Sequence, residues 1–134
     1  MNILVIDGQG GGLGKLLVSG IKSEYPDFFV TAVGANSIAT SAMLKAGADA
    51  AATGENAVCV GCRKADVIAG PVGIVIADAL LGEITPKMAA AIGQSDVKRV
   101  LVPVNHCDNI VVGVGDIPMA KLVQSAVKEI GKGS

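Results

Sequence analysis

The sequence predicts a three-layer α/β domain with a mainly parallel sheet. Short apolar segments alternate along the chain with segments of about ten residues at helical spacing, which is the pattern of β-α-β units. Ala, Val and Gly make up 55 of the 134 residues, and small or β-branched side chains suit a sheet that is buried on both faces. This length suits one domain spanning residues 1–134.

Composition excludes two classes of partner. The chain has 11 Lys+Arg against 12 Asp+Glu, one Tyr, two Phe and no Trp, so it offers nucleic acid neither positive charge nor stacking surfaces. The longest apolar stretch, Val67–Leu81, is interrupted by Asp78, Gly70 and Pro71, whereas a membrane-spanning helix needs about 20 apolar residues. Three cysteines and no basic leader favour a cytoplasmic protein.

The first half of the chain predicts three strands and three helices. Asn2–Asp7 is an apolar strand that ends in a glycine cluster, and apolar residues at helical spacing then predict a helix to about Glu24. The next elements are a strand at Phe28–Val33, a helix at Ser37–Ala46, a strand at Ala48–Ala52 and a helix at Asn56–Lys64.

The second half is less regular. A fourth strand is predicted at Asp66–Ala69 with a turn at Gly70-Pro71. Val72–Leu81 then fits a helix closed by Gly82, although Ile74-Val75-Ile76 fits a strand equally well. Thr85-Pro86 supplies the N-cap and first residue of a helix that ends at Gly93. The last elements are strands at Lys98–Val104 and Ile110–Val114 and a helix capped by Asp116 that ends at Gly131.

A glycine-rich loop follows the first strand, at the edge of the sheet where ligands of parallel α/β proteins bind. Gly8 permits a tight turn, Gly10 and Gly11 let the backbone approach a phosphate, and Gly14 allows close packing of helix on strand. Free amides at the start of the helix then bind the anion. The predicted cofactor-binding residues are Gly8, Gln9, Gly10, Gly11, Gly12, Leu13, Gly14, Lys15 and Asn36.

The stretch GQGGGLGKLL resembles the nucleotide loop of dihydrodipicolinate reductases and short-chain dehydrogenases, which are NAD(P)-binding Rossmann proteins. This resemblance implies a Rossmann-like domain that binds NADP or NAD. The acidic residue that holds the ribose of NAD after the second strand is replaced here by Gly34-Ala35-Asn36-Ser37. Asn36 cannot accept two ribose hydrogen bonds as a carboxylate can, so we expect a preference for NADP or little discrimination between the two cofactors. Gly11-Gly12-Leu13-Gly14-Lys15 also resembles the deviant phosphate loop of partitioning ATPases, with Leu16 in place of the magnesium-binding Ser/Thr.

Over its whole length the chain resembles a small family of short bacterial proteins that open with DGQGGG and are catalogued as a domain of unknown function. That resemblance implies the fold and a single domain, and it implies no activity.

The cysteines and the single histidine support two alternative functions. Cys59 and Cys62 form a C-x-x-C, which together with His106 and Cys107 suggests a metal site or a redox dithiol. The other interpretation of Cys59 and Cys62 is that they are small buried residues of a helix. His106 lies in a polar cluster after a strand, where it is either the proton donor of an NAD(P)-dependent reductase or part of a turn.

We therefore expect a small nucleotide- or dinucleotide-binding protein whose catalytic residues, if any, the sequence does not assign. The reductase and the metal or thiol-redox protein are the alternatives. The apolar composition of so small a domain also predicts a homodimer.

Overall fold

The computed structural model describes residues 1–104 and 109–133, and the strands and helices of that part of the chain alternate as the sequence predicts. The elements are β1 (Asn2–Asp7), α1 (Gly12–Glu24), β2 (Phe29–Gly34), α2 (Ser37–Lys45), β3 (Ala50–Thr53), α3 (Glu55–Lys64), β4 (Val67–Pro71), α4 (Pro86–Gly93), β5 (Lys98–Val102) and α5 (Met119–Gly131).

The strands form one parallel five-stranded sheet in the order β3-β2-β1-β4-β5. This order is that of the first five strands of the Rossmann sheet, and it changes direction between β1 and β4. Asp7 pairs in register with Gly34, and Gly34 pairs with Thr53. The carboxyl ends of the first three strands therefore lie level with one another, and the loops that follow them share one edge.

Helices cover both faces of the sheet, which confirms the predicted three layers. Helices α1, α2 and α5 pack on one face, and α3 and α4 pack on the other. Alternate residues of β1 enter the two cores: Ile3 and Val5 face the first group of helices, and Leu4 and Ile6 face the second. This two-sided burial explains why β1 is a continuous apolar run rather than an alternating one.

Two segments differ from the prediction for backbone reasons. β4 continues through Gly70 and Pro71, because both residues pair with β5 and the missing proline N–H falls at the end of the strand. Residues 72–81 form neither a ten-residue helix nor a strand: a single 3₁₀ turn at Val72–Val75 is followed by turns.

The connection after β5 also differs. Within the described residues, Ile110–Val114 forms no strand, and the last helix begins at Met119 rather than at Asp116. Pro118 precedes that helix in an extended conformation, and a residue before proline disfavours helical angles, so the helix cannot extend back through Ile117. No helix in residues 1–104 or 109–133 is long and apolar enough to cross a membrane.

Candidate functional site

The glycine-rich loop joins β1 to α1 at the carboxyl edge of the sheet, where the sequence places it. The amide of Gly11 donates to the carbonyl of Gly8 over 2.9 Å, which closes a tight turn. Gln9 and Gly11 adopt the left-handed conformation, with φ of 49° and 72°. Glycine adopts this conformation without the cost that a Cβ adds, so the turn depends on Gly11 more than on its neighbours.

The carboxylate of Asp7 lies beneath the loop. Its Oδ1 accepts from the amide of Gly8 over 2.8 Å, and its Oδ2 accepts from the amide of Gly14 over 2.7 Å. Asp7 is only 6% exposed and is the one buried charged side chain among the described residues. A carboxylate at a helix N-terminus is favourable because it satisfies free amides and interacts with the helix dipole. The chain therefore supplies its own anion to the inner side of the loop.

Packing separates the glycines of the loop into two groups. A Cβ on Gly11 would lie 2.9 Å from the Cα of Ala39, and one on Gly14 would lie 2.8 Å from the Cβ of Asp7. A Cβ on Gly10 or Gly12 would meet nothing within 4 Å. Gly14 has the packing role that the sequence predicts. Gly11, expected to admit a phosphate, instead packs against α2, and the open positions are Gly10 and Gly12.

The outer side of the loop carries hydrogen-bond donors that the protein does not use. Among the described residues, the amides of Gly10, Gly12 and Leu13 have no hydrogen-bond partner. An open depression of about 850 Å³ lies between α1 and α2, and none of these three residues lines it. Its polar lining comes from Lys15, Ser37, Ser41 and Lys45. The unused amides make the outer side of the loop suited to an anion.

Asn36 lies beside the loop, as expected of a cofactor-binding residue after β2. Its Oδ1 caps α2 by accepting from the amide of Ala39 over 2.9 Å. Its Nδ2 donates to the carbonyl of Gln9 over 2.9 Å and to Oε2 of Glu83 over 2.7 Å. The side chain thus joins the end of β2 to the glycine loop and to a carboxylate from a distant part of the chain.

Glu83 is the site residue that the sequence analysis missed. Its Oε1 accepts from the amide of Gln9 over 2.6 Å, and its Oε2 accepts from Asn36, so it spans the loop and the end of β2. Glu83 and Asp78 are the only charged residues between Asp66 and Lys87. Two acids in so apolar a stretch are a signal that pointed to Asp78 and Glu83 alike, because a charged side chain in apolar surroundings needs a polar partner.

The segment Ile76–Ile84, here called the covering loop, holds Glu83 in place. The amide of Asp78 donates to the carbonyl of Ile84 over 2.7 Å and closes the loop, and Leu80 and Ile84 are buried beneath it. Asp78, Leu80 and Leu81 have φ of 68°, 56° and 56°, which is costly for residues with side chains. Buried anchors and a closed backbone stabilise this strained shape, and strain of this kind is concentrated at functional sites.

A crevice of about 260 Å³ lies on the other side of the covering loop. It is lined by Val72, Gly73, residues 76–81, Val104 and Asn109. These residues follow β4 and β5, so the crevice opens at the carboxyl edge of the sheet, beside these two strands. Residues 105–108, which include His106 and Cys107, lie outside the described residues, and the predicted roles of these two residues stay predictions.

The cysteine pair lies on α3, away from the glycine loop. Cys62 is buried and Cys59 is half-buried, and both lie beside residues 94–97, which precede β5. Burial, with a smaller contribution from Cys59, raises the pKa of the Cys62 thiol to about 11, so this thiol stays protonated at neutral pH. Within residues 1–104 and 109–133, no three His, Cys, Asp or Glu residues are grouped so as to hold a metal ion.

Comparison with known proteins gives a family. The model of the family described as a domain of unknown function, DUF3842, matches residues 2–133, and the chain belongs to this family. No curated protein sequence matches the chain. Among solved structures, the chain is similar to the dodecameric FMN-dependent UbiX-like decarboxylase from Escherichia coli O157:H7. The two are 18% identical, with a TM-score of 0.49 and coverage of 98% of this chain and 76% of that chain.

Proposed function

We propose that this protein binds a nucleotide or dinucleotide at the carboxyl edge of its sheet, with a phosphate on the outer side of the glycine-rich loop. The observation that carries the proposal is that the amides of Gly10, Gly12 and Leu13 have no partner among the described residues. Gly10 and Gly12 also leave open space where a side chain would stand. A helix start with unused amides and no obstructing Cβ is the usual binding site for a phosphate.

Charge near the loop limits where the phosphate binds. Asp7 occupies the amides of Gly8 and Gly14, and its carboxylate repels a second anion on the inner side of the loop. Lys15 and Lys45 line the depression on the outer side. We therefore assign the phosphate to the outer side of the loop, at the amides that have no partner among the described residues.

Glu83 extends the proposal from the phosphate to the ribose. An ionised carboxylate accepts about four hydrogen bonds, and Glu83 uses two of these positions, on Gln9 and Asn36. Its remaining positions are available to ribose hydroxyls. In Rossmann proteins a carboxylate after the second strand accepts these hydroxyls, and here Glu83 lies beside Asn36 at that point. We therefore expect a ligand with a free ribose 2′-hydroxyl, which reverses the NADP preference inferred from Asn36 alone.

Titration with NAD, NADP, AMP and ATP tests the proposal, with affinity measured by calorimetry for the parent chain and two variants. Gly10→Val fills the open position on the loop. Gly93→Val is the matched control, because a Cβ on Gly93 also meets nothing within 4 Å and α4 ends at the opposite edge of the sheet.

We expect Gly10→Val to weaken binding by at least about tenfold, since a lost hydrogen bond to a charged group is worth about 1.5–3 kcal/mol. Gly93→Val should leave the affinity unchanged. Failure of all four ligands to bind, or equal affinity for both variants, would contradict the proposal.

A further inference from the structure

The connection between β5 and α5 exposes apolar side chains that nothing in the described structure covers. We call residues 109–118 the connecting arm. Ile110 is 77% exposed and Val112 is 91% exposed, and Val111 and Ile117 are also exposed. The β-branched run Ile110–Val114 is typical of a strand, yet within the described residues it has no strand to pair with. The arm carries one charged residue, Asp116.

A groove on the opposite side of the molecule has matching properties. Helix α3 covers Leu4 of β1 and Val33 of β2. It leaves the other side chains on this face of β2 and β3 only partly covered, which creates an apolar groove of about 540 Å³. Its lining includes Phe29, Thr31, Ala50, Ala52, Ala57 and Val60. Phe29 is 48% exposed, which is unusual for a large aromatic residue at the start of an inner strand. Lys64 is the one charged residue among the described residues that line the groove.

Strand β3 gives the groove an open backbone edge. Among the described residues β3 pairs with β2 alone. The carbonyl of Ala52 accepts from the Thr40 hydroxyl over 3.2 Å, and the rest of the outer edge of Ala50–Thr53 is open to a further strand. An open edge of this kind accepts an added strand from another chain. Side chains of such a strand would alternate between the apolar groove and solvent.

We infer that the connecting arm of one copy binds along β3 in the apolar groove of a second copy, and that the second copy returns the same contact. Strand-forming residues then meet an open strand edge, apolar side chains meet an apolar groove, and Asp116 meets Lys64. A contact between two copies with two-fold symmetry forms twice, so it buries twice the area of a single arm. This inference does not depend on the proposed nucleotide site.

The geometry favours a second copy over the chain's own groove. The arm joins β5 to α5, and β5 is four strand spacings from β3, roughly 19 Å across the sheet. Helix α5 lies on the face of the sheet opposite to the groove. The arm would have to pass around its own sheet edge and return, whereas a second copy can present its groove directly.

Sedimentation velocity of the full chain tests the inference. Val112→Asp places a charge at an exposed position of the arm, so the fold of the subunit should not change. Ile38→Asp is the matched control, because Ile38 is 71% exposed on α2 and belongs to neither surface. We expect a dimer for the parent chain and for Ile38→Asp, and a dissociation constant at least about a hundredfold higher for Val112→Asp, since two buried valines are lost per dimer.

Charge exchange tests the register of the contact. Lys64→Glu and Asp116→Lys each place like charges together, so each should weaken the dimer, and the double variant should regain most of the loss. Far-UV circular dichroism confirms that every variant is folded. A parent chain that is monomeric in solution would overturn the inference, whether or not it binds lipid vesicles. So would a Val112→Asp variant that dimerises as tightly as the parent, or a double variant weaker than both single ones.

Discussion

The carboxylate of Glu83 accepts a hydrogen bond from the amide of Gln9 over 2.6 Å, although 74 residues separate them in the chain. This contact joins the covering loop to the glycine-rich loop and brings a second acid to a site where Asp7 is already present. The contacts define the chemistry of the site. The amide of Gln9 and the amides on the inner side of the loop bind carboxylates of the protein. The amides on the outer side remain for a ligand.

Gly11 and Gly12 should respond to substitution in opposite ways. Gly11→Ala forces a Cβ onto a residue with φ of 72° and against the backbone of Ala39, so we expect a loss of about 2 kcal/mol or more in the free energy of unfolding. Gly12→Ala adds a Cβ in open space at the first residue of α1, and we expect no loss or a gain of up to about 1 kcal/mol. Urea unfolding of both variants measures the difference, and equal losses would contradict the packing role of Gly11.

Glu83 should control the choice between NAD and NADP. In the parent chain we expect tighter binding of NAD, because the Glu83 carboxylate accepts ribose hydroxyls and repels a 2′-phosphate. Glu83→Gln should reduce the preference for NAD by about tenfold, since a hydrogen bond to a charged group is worth roughly 1.5–3 kcal/mol. Side-by-side titration of both cofactors decides this. A parent chain that prefers NADP would contradict the assignment of Glu83.

Asp49 should stabilise the fold in a pH-dependent way. Its carboxylate accepts from the amide of Val30 over 2.8 Å and from Lys22 over 2.9 Å, and these contacts lower the pKa of Asp49. A lowered pKa in the folded state means that the contribution is complete above the unfolded pKa, near 4, and is lost as the pH falls through the folded value.

Asp49→Asn should therefore lower the free energy of unfolding by up to about 1 kcal/mol at neutral pH, because solvent screens these exposed contacts, and by less in acid. Urea unfolding at several pH values measures the difference. Glu129→Gln is the control, since Glu129 forms an exposed ion pair with Lys132 and its loss should change little. A deficit for Asp49→Asn that does not shrink in acid would exclude the charged contact as its cause.

The cysteine pair should behave as structure rather than as a metal site. Cys62 should resist alkylation in the folded protein, because it is buried and its pKa is raised to about 11, while the more exposed Cys59 reacts first. Replacing both by Ala should cost about 1–3 kcal/mol of stability and leave nucleotide affinity unchanged. Alkylation followed by mass spectrometry and elemental analysis checks both points. Stoichiometric zinc or iron in the parent chain would support the metal site instead.

Local sequence patterns predicted the sheet well because each strand and helix carries its own signal. The apolar run of β1, the glycine cluster and the Thr85-Pro86 start of α4 all predict elements that the structure contains. The covering loop carried no such signal, because its shape depends on left-handed residues and on Leu80 and Ile84 packing into a core that also contains residues of β1, β4 and α3. Its fold follows from tertiary contacts, which no local pattern encodes.

Only part of the candidate site could be predicted, because a local sequence pattern does not show contacts between residues that are far apart in the chain. The position of the glycine-rich loop and the role of Gly14 follow from local sequence. The contact of Gly11 with α2 and the approach of Glu83 join residues far apart in the chain, so spacing alone could not reveal them. Ile110–Val114 is the opposite case. Its sequence is typical of a strand, but these residues form no strand in the described structure.

The most direct test of the nucleotide site is the backbone amide spectrum of the isotopically labelled protein during titration with NAD. We predict saturable shifts for Gly10, Gly12 and Leu13, whose amides have no partner among the described residues, and much smaller shifts for Gly8 and Gly14, whose amides are bonded to Asp7. Saturation that leaves the amides of the glycine-rich loop unmoved, or that moves residues of the apolar groove instead, would contradict the account.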